Sequence, residues 1–143
     1  MKRKMLILTV LCPLIALVAR PASGQAGVKV KVPFEFVVAD KTLPEGEYLI
    51  WWNTDKVFVQ NQQGNFVALA FSTSLSERHV GKTGQAVFQC YERRCFLSQV
   101  WSPTRAAGRQ VRKCHLETLV AKEDLAANKA APARFTLIAK DTE

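Results

Sequence analysis

With 143 residues, 48% of them hydrophobic, the chain suits one domain with a sizeable core and is short for two. Its formal charge of +8 invites a polyanionic partner, but Lys2, Arg3, Lys4 and Arg20 supply half of that from an opening stretch without acids. Removing these four of the 20 basic residues leaves 16 against 12 acids, a net +4. Lys29, Lys31, Arg93, Arg94, Arg105, Arg109, Arg112 and Lys113 are scattered as on an ordinary solvated surface. They form no dense basic stripe with interleaved aromatics, so no nucleic-acid partner is expected. What remains is a mild attraction to anionic envelope polymers.

The opening stretch is itself informative. Lys-Arg-Lys at 2–4 precedes the uncharged run MLILTVLCPLIALVA (5–19) and the small-residue exit RPASGQAG. A basic start, a short apolar segment and small residues at its end describe a secretory signal peptide. We assign residues 1–24 to the signal, with cleavage after Gly24 or Ala26, and residues 25–143 to one domain. The apolar run is shorter than the roughly 20 residues that span a bilayer, and Pro13 interrupts it, so no stable membrane span is expected after cleavage. Lipidation at Cys12 fits poorly, because bulky Leu11 precedes it and little apolar sequence lies upstream.

Along the mature chain, KVKVPFEFVV (29–38) begins with Val28, Val30 and Val32 on one face and Lys29 and Lys31 on the other. That period of two reads as a strand with one wet face, and Pro33 marks an edge or a bulge because it cannot donate to a ladder. ADKTLPEGEY (39–48) carries turn chemistry in Pro44 and Gly46. EYLIWW (47–52), KVFVQ (56–60) and FVALAFS (66–72) follow as strands, then TSLSERHVGKTG (73–84) as a polar loop. QAVFQCYE and RCFLSQVWS form a hairpin; a helix-like pattern covers about 111–127 with Leu116, Leu119 and Val120 on one side, and ARFTLIA (133–139) is the last strand. The expected fold is mainly β: an antiparallel sandwich or small barrel of about seven strands, with one helix before the last strand.

The stretch FQCYERRCFLSQVW (88–101) sets two cysteines across that hairpin. Pairing Tyr91 with Arg94 makes Cys90 and Cys95 a directly opposed pair, with Cα atoms about 4.5 Å apart, within disulfide reach. A zinc site would need two further ligands, and only Cys114, His79 and His115 are on hand. A redox centre would favour C-x-x-C at a helix start. Export also places the thiols in an oxidising compartment. A Cys90–Cys95 staple is therefore the preferred reading, closing a short loop and contributing about 1–3 kcal/mol. Cys114 is left over, and no metal or other cofactor is implied.

Other constellations are weaker. SLSERH gathers Ser74, Ser76, Glu77, Arg78 and His79 on one loop, but without a G-x-S-x-G elbow, so it reads as a solvated connector and a place for binding contacts. Glu45 and Glu47 flank Gly46 in a turn rather than a cleft. Trp51 and Trp52 must face opposite sides of a strand, and with Trp101 they are the candidate binding aromatics. Cover by the C-terminal helix is the expectation for the outward one.

VPFEFVVADKTLPEGEYLI (32–50), VFQCYERRCFLSQVW (87–101) and GRQVRKCHLE (108–117) resemble a group of small exported bacterial proteins, seen especially in acidobacterial genomes. Its pattern runs PFxFxVxxxxLPAGxY, FxxYGxxYFLSxVW and GRxLxxSRxE. The resemblance covers about ninety mature residues and implies export and a β-rich fold, with no activity to carry over. Glu92 stands where the group often has a turn glycine, and Cys90 and Cys95 depart from it as well, which makes the staple a local addition.

These readings point to an exported, periplasmic or extracellular, non-catalytic module that binds an envelope protein or glycan or serves a structural role. The alternatives are a β-barrel carrier of an apolar molecule and an enzyme acting on cell-wall or extracellular polymer.

Overall fold

The computed structural model describes residues 27–76, 83–92, 94–103 and 108–139. The assigned signal peptide lies outside them. Ten strands and one helix follow in order: β1 (Gly27–Val32), β2 (Phe36–Val38), β3 (Lys41–Leu43), β4 (Gly46–Trp52), β5 (Lys56–Asn61), β6 (Phe66–Leu75), β7 (Gln85–Tyr91), β8 (Arg94–Trp101), β9 (Gly108–Val111), α1 (His115–Ala126) and β10 (Ala133–Ile138). The fold is mainly β with the helix before the last strand, as the sequence pattern predicts. The three strands beyond about seven are the short β2, β3 and β9, too brief to show a period.

β1 alternates as its sequence dictates: Val28, Val30 and Val32 are buried while Lys29 and Lys31 are exposed. It is an edge strand, paired only with β4, and it stops at Pro33. The chain then changes sheet. β2 lies parallel to β8, with Phe36 opposite Cys95, and turns back into β3 through Ala39 and Asp40. Both have positive φ, 50° and 65°, the geometry of a tight two-residue hairpin turn. After β3, the Tyr48 hydroxyl donates to the Pro44 carbonyl at 2.6 Å, a tyrosine corner of the kind that fixes strand entry in antiparallel sandwiches.

β1, β4, β5 and residues 66–71 of β6 form one sheet. Residues 72–75 of β6 pair with β9 in a second sheet, where β9, β8, β7 and β10 adjoin in turn and the β2–β3 hairpin lies beside β8. The inner faces meet in one core built from Val28, Val30, Ile50, Val57 and Val59 on one side and Phe36, Phe88, Leu97 and Val100 on the other. The ladder is open, ending at β1, at β3 and, on the branch through β7, at β10, and so sandwich-like.

Where β6 passes between sheets, a cation is buried. Arg109 on β9 is 8% exposed, although its setting in the sequence reads as surface. Its Nε donates to Ser72 Oγ at 3.0 Å and one terminal nitrogen to Ser74 Oγ at 2.7 Å. The other donates to the carbonyls of Ser72 and, from the β4–β5 turn, Thr54.

α1 starts at His115 rather than near residue 111, because Gly108–Val111 is taken up as β9. Phe36, Cys90 and Leu97 point into the core, so their neighbours Val37, Tyr91 and Phe96 point outward from the second sheet. On these three sit Cys114, Leu116, Val120 and Ala121. Leu119 lies at the margin of this contact and stays exposed, while Glu117 is the buried helix residue. The N-cap residue, Cys114, makes no side-chain cap. Asp40, from the β2–β3 turn, caps instead: its Oδ1 accepts the Leu116 N–H at 2.7 Å.

Two outcomes follow. Arg109→Met keeps the side-chain stem but removes every donor, and equilibrium denaturation should show a loss of about 1–3 kcal/mol; a change below about 0.5 kcal/mol would mean the clamp is idle. The Leu116 N–H, then Cys114, hold the Asp40 carboxyl below its ordinary pKa. A carboxyl depressed on folding stabilises the fold above its unfolded value, near 3.9, and gives that up as pH falls through the folded value. Asp40→Asn should therefore lower Tm at neutral pH, with the gap from the parent closing in acid. A gap independent of pH would show that the charge plays no part.

Candidate functional site

Cys90 and Cys95 are opposed, with Tyr91 opposite Arg94, and joined by a disulfide, their Cα atoms 3.9 Å apart. Cys114 is a free thiol. Burial pushes its pKa up, which lowers its thiolate fraction and its reactivity. His115 beside it is exposed.

Two surface grooves flank α1. The larger, of about 490 Å³, runs between the helix and the β7–β8 hairpin, with Leu116, Leu119, Val120, Glu123 and Arg94 among its walls. The smaller, of about 340 Å³, reaches from Tyr91 to Pro132. Lys129, which lines both, holds its Nζ 2.5 Å from Glu92 and 3.7 Å from Asp124. Beneath the helix, the Tyr91 hydroxyl donates to Glu117 Oε1 at 3.3 Å. Burial raises the Glu117 carboxyl, and burial together with the Glu117 charge pushes Tyr91 up to about 12. This pair anchors the helix.

The outer face of the first sheet is different. Ile50, Val57, Val59 and Ala70 point inward, so Leu49, Trp51, Lys56, Phe58, Leu69 and Phe71 point outward. Trp51, Phe58 and Leu69 are cross-strand neighbours in one row. The Trp51 and Phe58 rings are stacked, with centroids 4.1 Å apart and planes 14° from parallel. Phe66 stands edge-on to both, at 5.7 and 6.2 Å. Phe66 is 62% exposed, Phe71 54%, Leu69 43% and Leu49 38%. Isolated exposed apolar residues are ordinary, but a contiguous group of this kind marks a contact surface.

Basic groups border the group. Lys29 and Lys31 on β1 lie opposite Leu49 and Glu47, and Lys56 holds its ammonium 5.9 Å from the centre of the Phe71 ring. A tight turn closes one end, where the Asn65 N–H donates to Asn61 Oδ1 at 2.9 Å and Gly64 adopts φ 83°.

The three tryptophans part company. Trp51 joins the outer face, and the helix that was expected to cover it docks on the opposite sheet instead. Trp52 turns inward against the core. Trp101 is 4% exposed and offers no surface for binding. Its ring lies so close to Gly108 that a Cβ there would stand 2.5 Å from Cε3, and its Nε1 donates to Gln99 Oε1 at 3.2 Å. Glu77, Arg78 and His79 lie outside the described residues.

Sequence reasoning reached Trp51 but missed Leu49, Phe58, Phe66, Leu69 and Phe71. A signal was present in FVALAFS. Large residues at 69 and 71 alternate with alanines at 68 and 70, and the small set faces the core. A run apolar on both faces reads as buried unless residue size is considered as well as polarity. No protein family, curated protein or solved structure matches the chain.

Proposed function

We propose that this chain is an exported, non-catalytic binding module that engages its partner through the outer face of the first sheet. The observation that carries the reading is the contiguous group in which Leu49, Phe66, Leu69 and Phe71 are exposed around the half-buried Trp51 and Phe58, left aside by α1. Leaving such a surface in water is costly unless something covers it at work. Export draws support from the basic, apolar, small-residue order of the first 27 residues and from a disulfide suited to an oxidising compartment. The resemblance to small exported acidobacterial proteins points the same way. No helix among the described residues is long and apolar enough to cross a membrane.

The non-catalytic part rests on the state of the titratable groups. Tyr91 and Glu117 are occupied with each other, the Cys114 thiol is raised, and Lys129 in the grooves is paired with Glu92 and Asp124. The carrier alternative has less support, because Phe36, Phe88, Ile50 and the core valines fill the space between the sheets.

A photo-reactive residue at position 69, in the protein produced from its own signal, tests the reading in living cells. Irradiation should give covalent adducts at 69 and few at position 122, an exposed site on α1. Equal labelling at both positions, or none at 69, would remove the sheet face as the working surface.

A further inference from the structure

We propose that the partner of this face is the surface of a lipid bilayer bearing anionic headgroups, an inference that rests on the binding-face reading above. Three observations carry it.

The first is the kind of apolar surface. It combines aromatic and aliphatic side chains, with Trp51, Phe58, Phe66 and Phe71 beside Leu49 and Leu69. Aromatic side chains favour the boundary between headgroups and acyl chains, and leucines partition into hydrocarbon. A sugar-binding platform uses open, flat rings. Here Trp51 and Phe58 each give one ring face to the other, and Phe66 leans edge-on against both. Exposed leucines also have nothing to offer a hydroxyl-rich chain.

The second is charge. At the outward positions of β1, β4 and β5 stand three lysines, Lys29, Lys31 and Lys56, and one acid, Glu47. Lysine suits a headgroup layer, since its stem lies along apolar surface while the ammonium reaches a phosphate. A second copy of the chain would bring the same excess of cations against itself.

The third is shape. Both grooves described lie beside α1 and the β7–β8 hairpin, whereas the aromatic face is the open side of a sheet. A side chain or peptide wants a recess. A bilayer accepts a broad face and lets half-exposed rings sink to a shallow depth.

The exported protein is tested by co-flotation with vesicles of phosphatidylglycerol and phosphatidylethanolamine in equal parts, against vesicles of phosphatidylcholine alone. Tryptophan emission serves as a second readout. Binding should favour the anionic vesicles by about tenfold or more and weaken as salt rises from about 0.05 to 0.5 M. Phe66→Ser with Phe71→Ser should cut binding to the anionic vesicles by about tenfold or more. Lys29→Glu with Lys31→Glu should abolish the preference for them. Leu125→Ser, at a position 82% exposed on α1, should change nothing.

Failure to float with either vesicle, while position 69 still forms adducts in cells, would overturn the lipid partner and leave the binding face standing. Absence of both would overturn the two together. Flotation unchanged by Phe66→Ser with Phe71→Ser would place lipid contact elsewhere on the molecule and overturn the proposal. Concentration-dependent dimers abolished by the same pair, without flotation, would identify a second copy as the occupant and overturn it as well.

Discussion

Everything else in this fold depends on how β6 crosses from one sheet to the other. Up to Phe71 it pairs with β5, and from Ser72 it pairs with β9. A strand that changes partners mid-course must find new acceptors and donors for its backbone at the change. The Ser72 N–H donates to the Asp55 carbonyl at 2.7 Å, and the Phe71 carbonyl accepts from Arg112 N–H at 2.9 Å. Arg109 completes the crossing with donors to Ser72, Ser74 and Thr54. A buried guanidinium served by neutral oxygens carries a desolvation cost, which hydrogen bonds to a charged donor partly offset. Arg109 thus ties the β4–β5 turn, the crossing strand and β9 into one unit, and so fixes how the sheets face each other.

With the sheets fixed, the two outer faces take different fates. The second sheet turns Val37, Tyr91 and Phe96 outward, and α1 closes over them, held at its start by Asp40 and beneath by the Glu117–Tyr91 hydrogen bond. The first sheet turns out its larger aromatic and aliphatic residues, and α1 docks on the other side of the molecule. The one helix among the described residues covers one face, and the other stays open. The β2–β3 turn links these choices, because Asp40 reaches the helix only from a hairpin with two left-handed residues at its tip.

The sequence disclosed local order well. The alternation of Val28, Val30 and Val32, the opposition of Cys90 and Cys95, the hairpin strands and the helix all follow from spacing within a few residues. What it hid was set by distant partners. Pro33 announced an interruption, but not that the chain would leave one sheet and pair in parallel with β8 some sixty residues later. Arg109 looked like surface because its acceptors lie 35 to 55 residues upstream. The burial of Glu117 gave no local sign, because its partner, Tyr91, belongs to a strand 26 residues away. Most consequential was the helix. Its apolar residues promised cover for an outward tryptophan, yet polarity alone could not say which sheet would receive it.

The central claim is that the aromatic face of the first sheet stands open in the folded protein. Hydroxyl-radical footprinting read by mass spectrometry measures this residue by residue. The account predicts rapid oxidation of Phe66 and Phe71, intermediate reaction at Trp51, and protection of Trp101, Phe36 and Phe88. Protection of Phe66 and Phe71 to the level of Phe88 in the isolated monomer would contradict it, since the face would then already be covered by the chain itself.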